Sequence, residues 1–259
     1  MRVPDHTSAA QLTTYASCPR KYRLRYVDKA EPEFRSPSLV LGTIIHTAAA
    51  WWFDQKQQGR TPELKALRQI VEADFTAMTH GENVNWGKWT PGDLRDHAAR
   101  LSQHLVEQCG NMEVTASELR FELQLYDPET GEMLPRPFVG FFDFKTADGK
   151  VVELKTSRGD YNPIQVAGNL QLGGYTTAID HLEVADGLDL VVLIKNKRPR
   201  VQKLELRPDH RTEQWFLRSA TEIERAIGAG HFPPSPSPMC ASCEFKRQCL
   251  GDVRDAQAA

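Results

Sequence analysis

The sequence has no uninterrupted apolar run near the ~20 residues that a membrane-spanning helix requires. Its first residues, Met1-Arg2-Val3-Pro4-Asp5-His6, lack the apolar stretch of a secretory signal. We therefore expect a cytoplasmic protein that does not enter a membrane. An excess of one charge is missing too, since 32 Lys and Arg residues oppose 34 Asp and Glu residues for a net charge of -2. This balance argues against a protein that coats nucleic acid by bulk electrostatics, although a local basic surface is enough to contact nucleic acid.

The chain also lacks a G-x-x-x-x-G-K-[ST] segment, so it carries no P-loop motor. The one low-complexity stretch is the proline-rich run 232–238, which predicts a stiff, extended linker. What is present is a composition with 40% hydrophobic residues over 259 positions, enough to bury a full core.

The spacing of apolar residues changes along the chain from a helical period to a period of two. It predicts two short helices within 8–27 and longer helices over 39–58, 63–78 and 93–109. Strands follow, with a helix inside the strand region and one after it: strands around 119–125, 138–146 and 150–156, a helix over 163–179, strands over 188–195 and 201–206, and a helix over 209–229. We therefore expect an α/β fold in which helices precede the order β-β-β-α-β-β-α.

Two carboxylates and a lysine lie on neighbouring predicted strands joined by a turn that contains Asp148-Gly149. Asp143 and Glu153 should approach each other across this ribbon, and they repel unless a cation lies between them. We interpret them as ligands of a hard divalent cation, with the Leu154 carbonyl as a further ligand. Lys155 would orient the attacking water in phosphodiester hydrolysis. The alternative is a surface hairpin that carries these charges without a metal.

Two further pairs of residues support the metal hypothesis. Gly42 lies one helical turn before His46, whose imidazole can complete the ligand set of the cation. Gln171 and Tyr175 are four residues apart and share one face of the helix that follows the Glu-x-Lys strand. The alternatives are an ordinary core or surface histidine and an ordinary amphipathic helix.

Basic residues concentrate in two segments, each either a phosphate-contacting surface or a solvated face. The first contains Arg20, Lys21, Arg23 and Arg25, and the second contains Lys195, Lys197, Arg198, Arg200, Lys203, Arg207 and Arg211.

Four of the five cysteines have the spacing of metal ligands. Cys240, Cys243 and Cys249 form a C-x2-C-x5-C group, and Cys18 is a remote fourth thiol. Zinc sites more often use two C-x2-C pairs, so we favour an iron–sulfur cluster over zinc, and disulfides are not expected in the cytoplasm. Cys109 lies in a predicted helix and is interpreted as a buried structural residue.

Together these residues resemble the PD-(D/E)XK nucleases of the RecB-like branch, and within it the iron–sulfur nucleases that include the CRISPR-associated RecB-like exonucleases and the AddB nuclease domain. The resemblance spans nearly the whole chain, through six motifs in order: Leu12-x2-Tyr15-x2-Cys18-Pro19, Gly42-x3-His46, Gly140-x2-Asp143, Glu153-x-Lys155, Gln171-x3-Tyr175 and the C-terminal cysteines. No proline precedes Asp143, a departure that is ordinary for this branch.

The resemblance implies a central mixed sheet flanked by helices, as a restriction-endonuclease-like core. It also assigns roles: His46, Asp143, Glu153 and the Leu154 carbonyl as ligands of Mg²⁺ or Mn²⁺, Lys155 as the catalytic lysine, Gln171, Tyr175, Arg20 and Lys21 as residues that contact DNA or support the site, and Cys18, Cys240, Cys243 and Cys249 as ligands of a [4Fe–4S] cluster. The cluster would join the two ends of the chain.

The implied arrangement is a single nuclease domain over 1–259, with a mainly helical part over 1–110, the nuclease core over 111–230 and a cysteine-rich segment over 231–259. The implied activity is a metal-dependent exonuclease on single-stranded DNA or DNA ends, in recombination, repair or CRISPR adaptation. Because the chain has no motor, unwinding would need a helicase partner. The alternative hypotheses are a DNA-binding scaffold subunit with little or conditional catalysis, and a zinc-stapled protein with none.

Overall fold

The computed structural model describes residues 3–196 and 198–251. Lys197 of the second basic segment and the end of the predicted cysteine-rich segment, 252–259, lie outside the described residues. None of the described helices combines the length and the apolar character needed to cross a bilayer.

The amino-terminal part is helical, as the apolar spacing predicts. Its elements are α1 (Ala9–Ser17), α2 (Pro19–Tyr22) continued by a π-helical turn (Arg23–Val27), α3 (Pro37–Gln57), α4 (Leu64–Thr79) and α5 (Pro91–Cys109). Polar caps fix where these helices begin: the Ser36 hydroxyl accepts the Leu39 N–H at the start of α3, and Thr90 forms a capping box with Asp93 at the start of α5.

The remaining elements form a five-stranded sheet with connecting helices. They are β1 (Val114–Leu123), β2 (Phe138–Thr146), β3 (Val151–Ser157), α6 (Pro163–Ala167), α7 (Leu170–Leu182), β4 (Leu188–Ile194), β5 (Arg200–Leu206), α8 (His210–Gly228), a 3-10 turn (Pro238–Ser242) and α9 (Lys246–Leu250). The strands follow one another in chain order across the sheet. Among the neighbouring strands of this sheet, as far as the structure describes the chain, only β3 and β4 are parallel, so the predicted α/β fold with a mixed sheet flanked by helices is confirmed.

The prediction of one helix over 163–179 is wrong, because the crossover between β3 and β4 contains two helices. α6 ends before Gly168, and the Asn169 side chain then caps α7 by accepting the N–H groups of Gln171 and Leu172. An asparagine cap starts a new helix after Gly168, which an amphipathic pattern alone does not reveal. Gln171 consequently lies in the first turn of α7.

Helices cover both faces of the sheet and make two cores. Alternate residues of β4 serve each side: Leu190 and Val192 pack with α1, α7 and α8, whereas Val191 and Leu193 pack with α3, α4 and α5. The second core places α3 across β2 and β3, and this brings His46 over the predicted carboxylates.

The two ends of the described chain meet. The Tyr15 hydroxyl donates to the carbonyl of His231 at 2.6 Å, and the Arg20 N–H donates to the carbonyl of Pro233 at 3.1 Å. Farther on, the Glu33 N–H donates to the carbonyl of Glu244 at 2.8 Å. Residues 231–251 are therefore attached to the first helices through hydrogen bonds.

Candidate functional site

Asp143 and Glu153 lie on adjacent strands, as the hairpin interpretation requires, but the strands separate at this point. The register of β2 and β3 pairs Phe144 with Val152 and Lys145 with Val151. The Leu154 N–H instead donates to Oδ2 of Asp143 at 2.7 Å. A side-chain carboxylate thus replaces a backbone carbonyl as the acceptor at the site.

His46 meets Asp143 from the opposite side. Its Nδ1 lies 3.2 Å from Oδ1 of Asp143, so the two oxygens of this carboxylate contact α3 and β3 separately. Burial opposes protonation of His46, but the hydrogen bond and the charge of Asp143 outweigh it and raise the pKa of the imidazole. The structure therefore places the imidazole of His46 beside the carboxylate of Asp143 as a hydrogen-bonded pair.

Glu153, Lys155 and Gln171 form the other half of the site. Lys155 Nζ lies 2.6 Å from Oε1 of Glu153, and Gln171 Nε2 donates to the same oxygen at 2.8 Å. Lys155 also donates to Oε1 of Gln171, so the amide bridges the carboxylate and the ammonium. Gln171 reaches this position because it lies in the first turn of α7, in the crossover that follows β3.

The second oxygen of Glu153 has no protein partner. Glu153 is 2% exposed, and its Oε2 is buried without a hydrogen bond within the described chain. Burial raises the pKa of Glu153 to about 7, with a further contribution from the charge of Asp143, while Lys155 opposes the shift. A buried carboxylate with one unsatisfied oxygen beside a second carboxylate fits a bound cation, which would supply the missing charge.

The carboxylate oxygens of Asp143 and Glu153 are ligands suited to Mg²⁺ or Mn²⁺. The imidazole of His46 is a ligand more typical of transition-metal ions. Ligand atoms of His46, Asp143 and Glu153 do not all lie within 4.8 Å of one another. Within the described residues, that arrangement occurs only for Asp180, His181 and Glu213, on the surface between α7 and α8. The Leu154 backbone contributes its N–H to the site, and a ligand role for its carbonyl remains a prediction.

Tyr175 lies on α7 and contacts β2 close to the site. It is buried, its hydroxyl donates to the carbonyl of Phe141 at 2.9 Å, and its ring packs edge-on against Phe121 and Phe142. Burial raises its pKa well above the usual value. The observed contact is with the backbone of β2, two residues before Asp143.

The first basic segment is largely engaged within the protein. Lys21 and Arg25 each lie 2.9 Å from an oxygen of Glu244, and Arg23 pairs with Asp28 at 3.1 Å. Arg20 has no carboxylate partner among the described residues. Contacts of Arg20 and Lys21 with DNA therefore remain predictions, and Lys21 would have to exchange its ion pair to make one.

The four candidate cluster cysteines are partly buried free thiols near the junction of the two chain ends. Burial raises the pKa of Cys243, and the neighbouring Cys18 adds to the shift. No three of these sulfur atoms, all within the described chain, lie within 4.8 Å of one another. Cys109 is 3% exposed in the core under α5, as predicted for a structural residue.

Glu118 is a cleft residue that the sequence does not indicate. With His46 and Asp143 it lines a cleft of about 460 Å³. Its φ of 53° lies in the left-handed region, which is rare for a non-glycine residue and concentrates at functional sites. In the sequence it lies just before the predicted strand at 119–125 and belongs to no motif, so no signal could have found it.

Comparisons with known proteins concern the family and the fold of this chain. A crystal structure of a candidate exonuclease from Eubacterium rectale has a TM-score of 0.58 with 12% identity and covers 94% of this chain and 88% of that chain; at this identity the likeness shows the fold alone. A second solved structure, of the protein SSO0001, has 16% identity and covers 98% of this chain and 90% of that chain, but its TM-score is only 0.46. A search of curated proteins finds no match. The family model of the PD-(D/E)XK nuclease superfamily matches residues 6–250, so this chain belongs to that superfamily.

Proposed function

We propose that this protein is a metal-dependent deoxyribonuclease that hydrolyses phosphodiester bonds of single-stranded DNA or DNA ends. The observation that carries the proposal is the buried Glu153 with its unpaired Oε2, set between the Asp143–His46 pair and the Lys155–Gln171 pair. Membership of a nuclease superfamily supports the reaction class. We propose in addition that the protein acts as an exonuclease and belongs to the RecB-like iron–sulfur branch of the superfamily.

The residues divide the work of hydrolysis. When bound, a divalent cation held by His46, Asp143 and Glu153 supplies Lewis-acid polarisation of the phosphate and the water. Lys155 offers a proton donor and a positive charge beside Glu153, suited to orienting the attacking water and stabilising charge on the phosphate. Gln171 holds Lys155 and Glu153 in register through one amide.

We also propose that Cys18, Cys240, Cys243 and Cys249 hold a [4Fe–4S] cluster at the junction of the chain ends. Support comes from the proximity of Cys18 to Cys243 and from the hydrogen bonds that already join the ends. A link between such distant positions would restrict the unfolded chain strongly. On this proposal the chain is a single nuclease domain in which the cluster has a structural role.

The decisive experiment is digestion of end-labelled single- and double-stranded DNA with Mg²⁺ or Mn²⁺ by anaerobically purified wild type and by Lys155→Ala. Cleavage by the wild type alone is expected. Equal cleavage by both would indicate a contaminant or a misplaced active site. No cleavage by intact wild type would favour the scaffold hypothesis and a search for a helicase, recombination or CRISPR adaptation partner.

A further inference from the structure

A second cleft, of about 750 Å³, adjoins the proposed active site. It forms where the carboxyl ends of the parallel strands β3 and β4 meet the first turns of α3 and α5. Ser38, in the first turn of α3, lines both this cleft and the one that contains His46 and Asp143. The two clefts therefore adjoin at the start of α3.

Two basic side chains enter the cleft from the strand ends. Arg158 follows β3, three residues after Lys155, and Lys195 follows β4. The Lys195 N–H donates to the carbonyl of Ser157 at 2.7 Å, which holds the two positions next to each other. Burial and the charge of Arg158 lower the pKa of Lys195, as expected when cations are brought together without an anion.

Arg100 from α5 and Lys88 from the preceding loop add two more cations. Within 3–196 and 198–251, none of the four has a carboxylate within ion-pair distance. The cleft also contains Asp93 and Asp96, but Asp93 is used in the capping box with Thr90 and Asp96 pairs with Arg95 at 3.1 Å.

The amino-terminal turn of α3, which has no acidic residue, adds the partial positive charge of a helix end, whereas Asp93 offsets that of α5. The cleft thus has four cationic side chains against two carboxylates, and Asp96 is already paired with Arg95. The remaining net positive charge is the electrostatic signature of a phosphate site.

The wall of the cleft beside these cations is aromatic. Trp89 packs against His97 with ring centroids 5.3 Å apart. Burial, Arg100 and Lys195 lower the pKa of His97. Arg100 Nη2 lies 2.7 Å from Nδ1 of His97, and because a guanidinium can only donate, Nδ1 accepts and Nε2 carries the proton. That Nε2 is buried without a partner in the described chain.

We propose, resting on the nuclease function above, that this cleft binds a phosphate and the adjoining base of the same single DNA strand whose scissile phosphate lies at Asp143 and Glu153. Arg158, Lys195 and Arg100 contact the phosphate, and Trp89 stacks on the base. Arg158 is roughly 10 Å along the strand from Lys155, at about 3.3 Å per residue. This distance suits a phosphate next along the backbone from the one that is cleaved.

The test measures binding separately from cleavage. In a Lys155→Ala background with chelator present, the anisotropy of a labelled oligothymidylate is titrated at several salt concentrations. Arg158→Gln and Arg100→Gln should each weaken binding about tenfold, the scale of one charge-assisted hydrogen bond, and lower the salt slope by about 1. The matched control is Arg218→Gln, an exposed arginine of α8 on the opposite face of the sheet, which should change neither value.

Base stacking has its own readout. Trp89→Leu should weaken binding of the oligothymidylate about tenfold, leave binding of an abasic oligonucleotide unchanged, and be rescued by Trp89→Tyr. Equal losses for both ligands would overturn the stacking assignment.

The outcomes separate this inference from the function on which it rests. With Lys155 intact, Arg158→Gln should raise KM for single-stranded DNA and leave kcat near wild type. If wild type cleaves DNA but the cleft variants bind it as Arg218→Gln does, the cleft proposal is wrong and the nuclease proposal stands. If the cleft variants lose DNA binding and Arg218→Gln does not, but wild type does not cleave DNA, the cleft proposal is supported and the nuclease proposal is wrong. No binding by the Lys155→Ala protein would overturn the cleft.

Discussion

The Leu154 N–H donates a 2.7 Å hydrogen bond to Oδ2 of Asp143, at the point where the β2–β3 ladder ends. The strand backbone therefore fixes the orientation of the carboxylate and leaves Oδ1 facing His46. Orientation of a ligand by an outer hydrogen bond is a general feature of metal sites. Asp143 is thus coupled to both β3 and α3.

Asp143→Asn should test the negative charge of the Asp143 carboxylate separately from the orientation of its side chain. The amide keeps an oxygen that accepts the Leu154 N–H, so the thermal midpoint should stay close to wild type. Loss of the charge should reduce kcat/KM for DNA at least ~100-fold. Steady-state cleavage and thermal unfolding check both expectations. Asp148→Asn, in the β2–β3 turn, is the control that should keep full activity, and an active Asp143→Asn protein would exclude Asp143 as a ligand.

Gln171 is expected to act by positioning Glu153 and Lys155. Gln171→Ala should lower kcat ~10–100-fold with little change in KM, the usual cost of removing a group that orients ligands. Because the amide N–H stabilises the Glu153 carboxylate, its loss should also move the acidic limb of the kcat–pH profile to higher pH. Gln103→Ala, on the outer face of α5, should change neither. An unshifted pH profile would contradict the positioning role.

Glu153 should make the metal-free protein less stable as the pH rises. Its folded pKa of about 7 exceeds the ordinary value of 4.5, so the folded state binds more protons between these values. The unfolding free energy should therefore fall as the pH rises from about 4.5 through about 7 and level off above. Glu153→Gln removes this dependence and should be more stable than wild type at alkaline pH by at least ~1 kcal/mol.

The measurement is thermal unfolding in chelator across this pH range. Mn²⁺ at alkaline pH should raise the midpoint of wild type and leave that of Glu153→Gln unchanged, since the cation compensates the buried charge. Parallel curves for the two proteins in chelator would show that Glu153 titrates normally.

Arg136 and Glu224 form a buried ion pair that should dominate the stability of the junction between the amino-terminal segment and α8. Their side chains are 7% and 2% exposed, with Nη2 2.6 Å from Oε1. Arg136 also donates to the carbonyls of Pro4 and His6. Arg136→Met leaves Glu224 buried without its partner and should cost ~3–5 kcal/mol in urea unfolding. Arg120→Met breaks an exposed pair with Glu122 and should cost under ~1 kcal/mol.

The cluster proposal predicts that Cys18→Ser loses bound iron and the visible absorbance of the anaerobic protein, together with thermal stability. Cys109→Ala is the matched control, because that thiol is buried in a different core and should keep the iron. Zinc in place of iron in wild type would support the zinc-stapled alternative. Metal-free wild type with an unchanged Cys18→Ser midpoint would exclude both.

Much of the fold follows from local patterns in the sequence. Apolar spacing places nearly every helix and strand, because each element must present one continuous face to a core. The exception at 163–179 arises because Asn169 offers its side chain to two N–H groups, a competition between side chain and backbone that periodicity does not report. The parallel pairing of β3 and β4 depends on how the crossover packs.

The site was less accessible from the sequence. Asp143, Glu153, Lys155, His46 and Gln171 stand in spaced motifs, and the structure brings them to one place, although their roles remain predictions. Lys21 shows the limit of composition, since its predicted DNA contact competes with an ion pair to Glu244, a residue from the other end of the chain. A run of basic residues in the sequence does not show which carboxylates those residues pair with in the folded protein.

The sequence by itself determined the elements, the α/β class and the identity of the acidic, basic and imidazole groups, because these depend on periodicity and on side-chain chemistry. Only the tertiary structure decided which oxygen of Glu153 is unpaired and that Glu118 enters the cleft. It also decided that Arg100, Arg158, Lys195 and Trp89 surround one cavity. Burial and proximity between residues far apart in sequence arise from packing, and no local pattern encodes them.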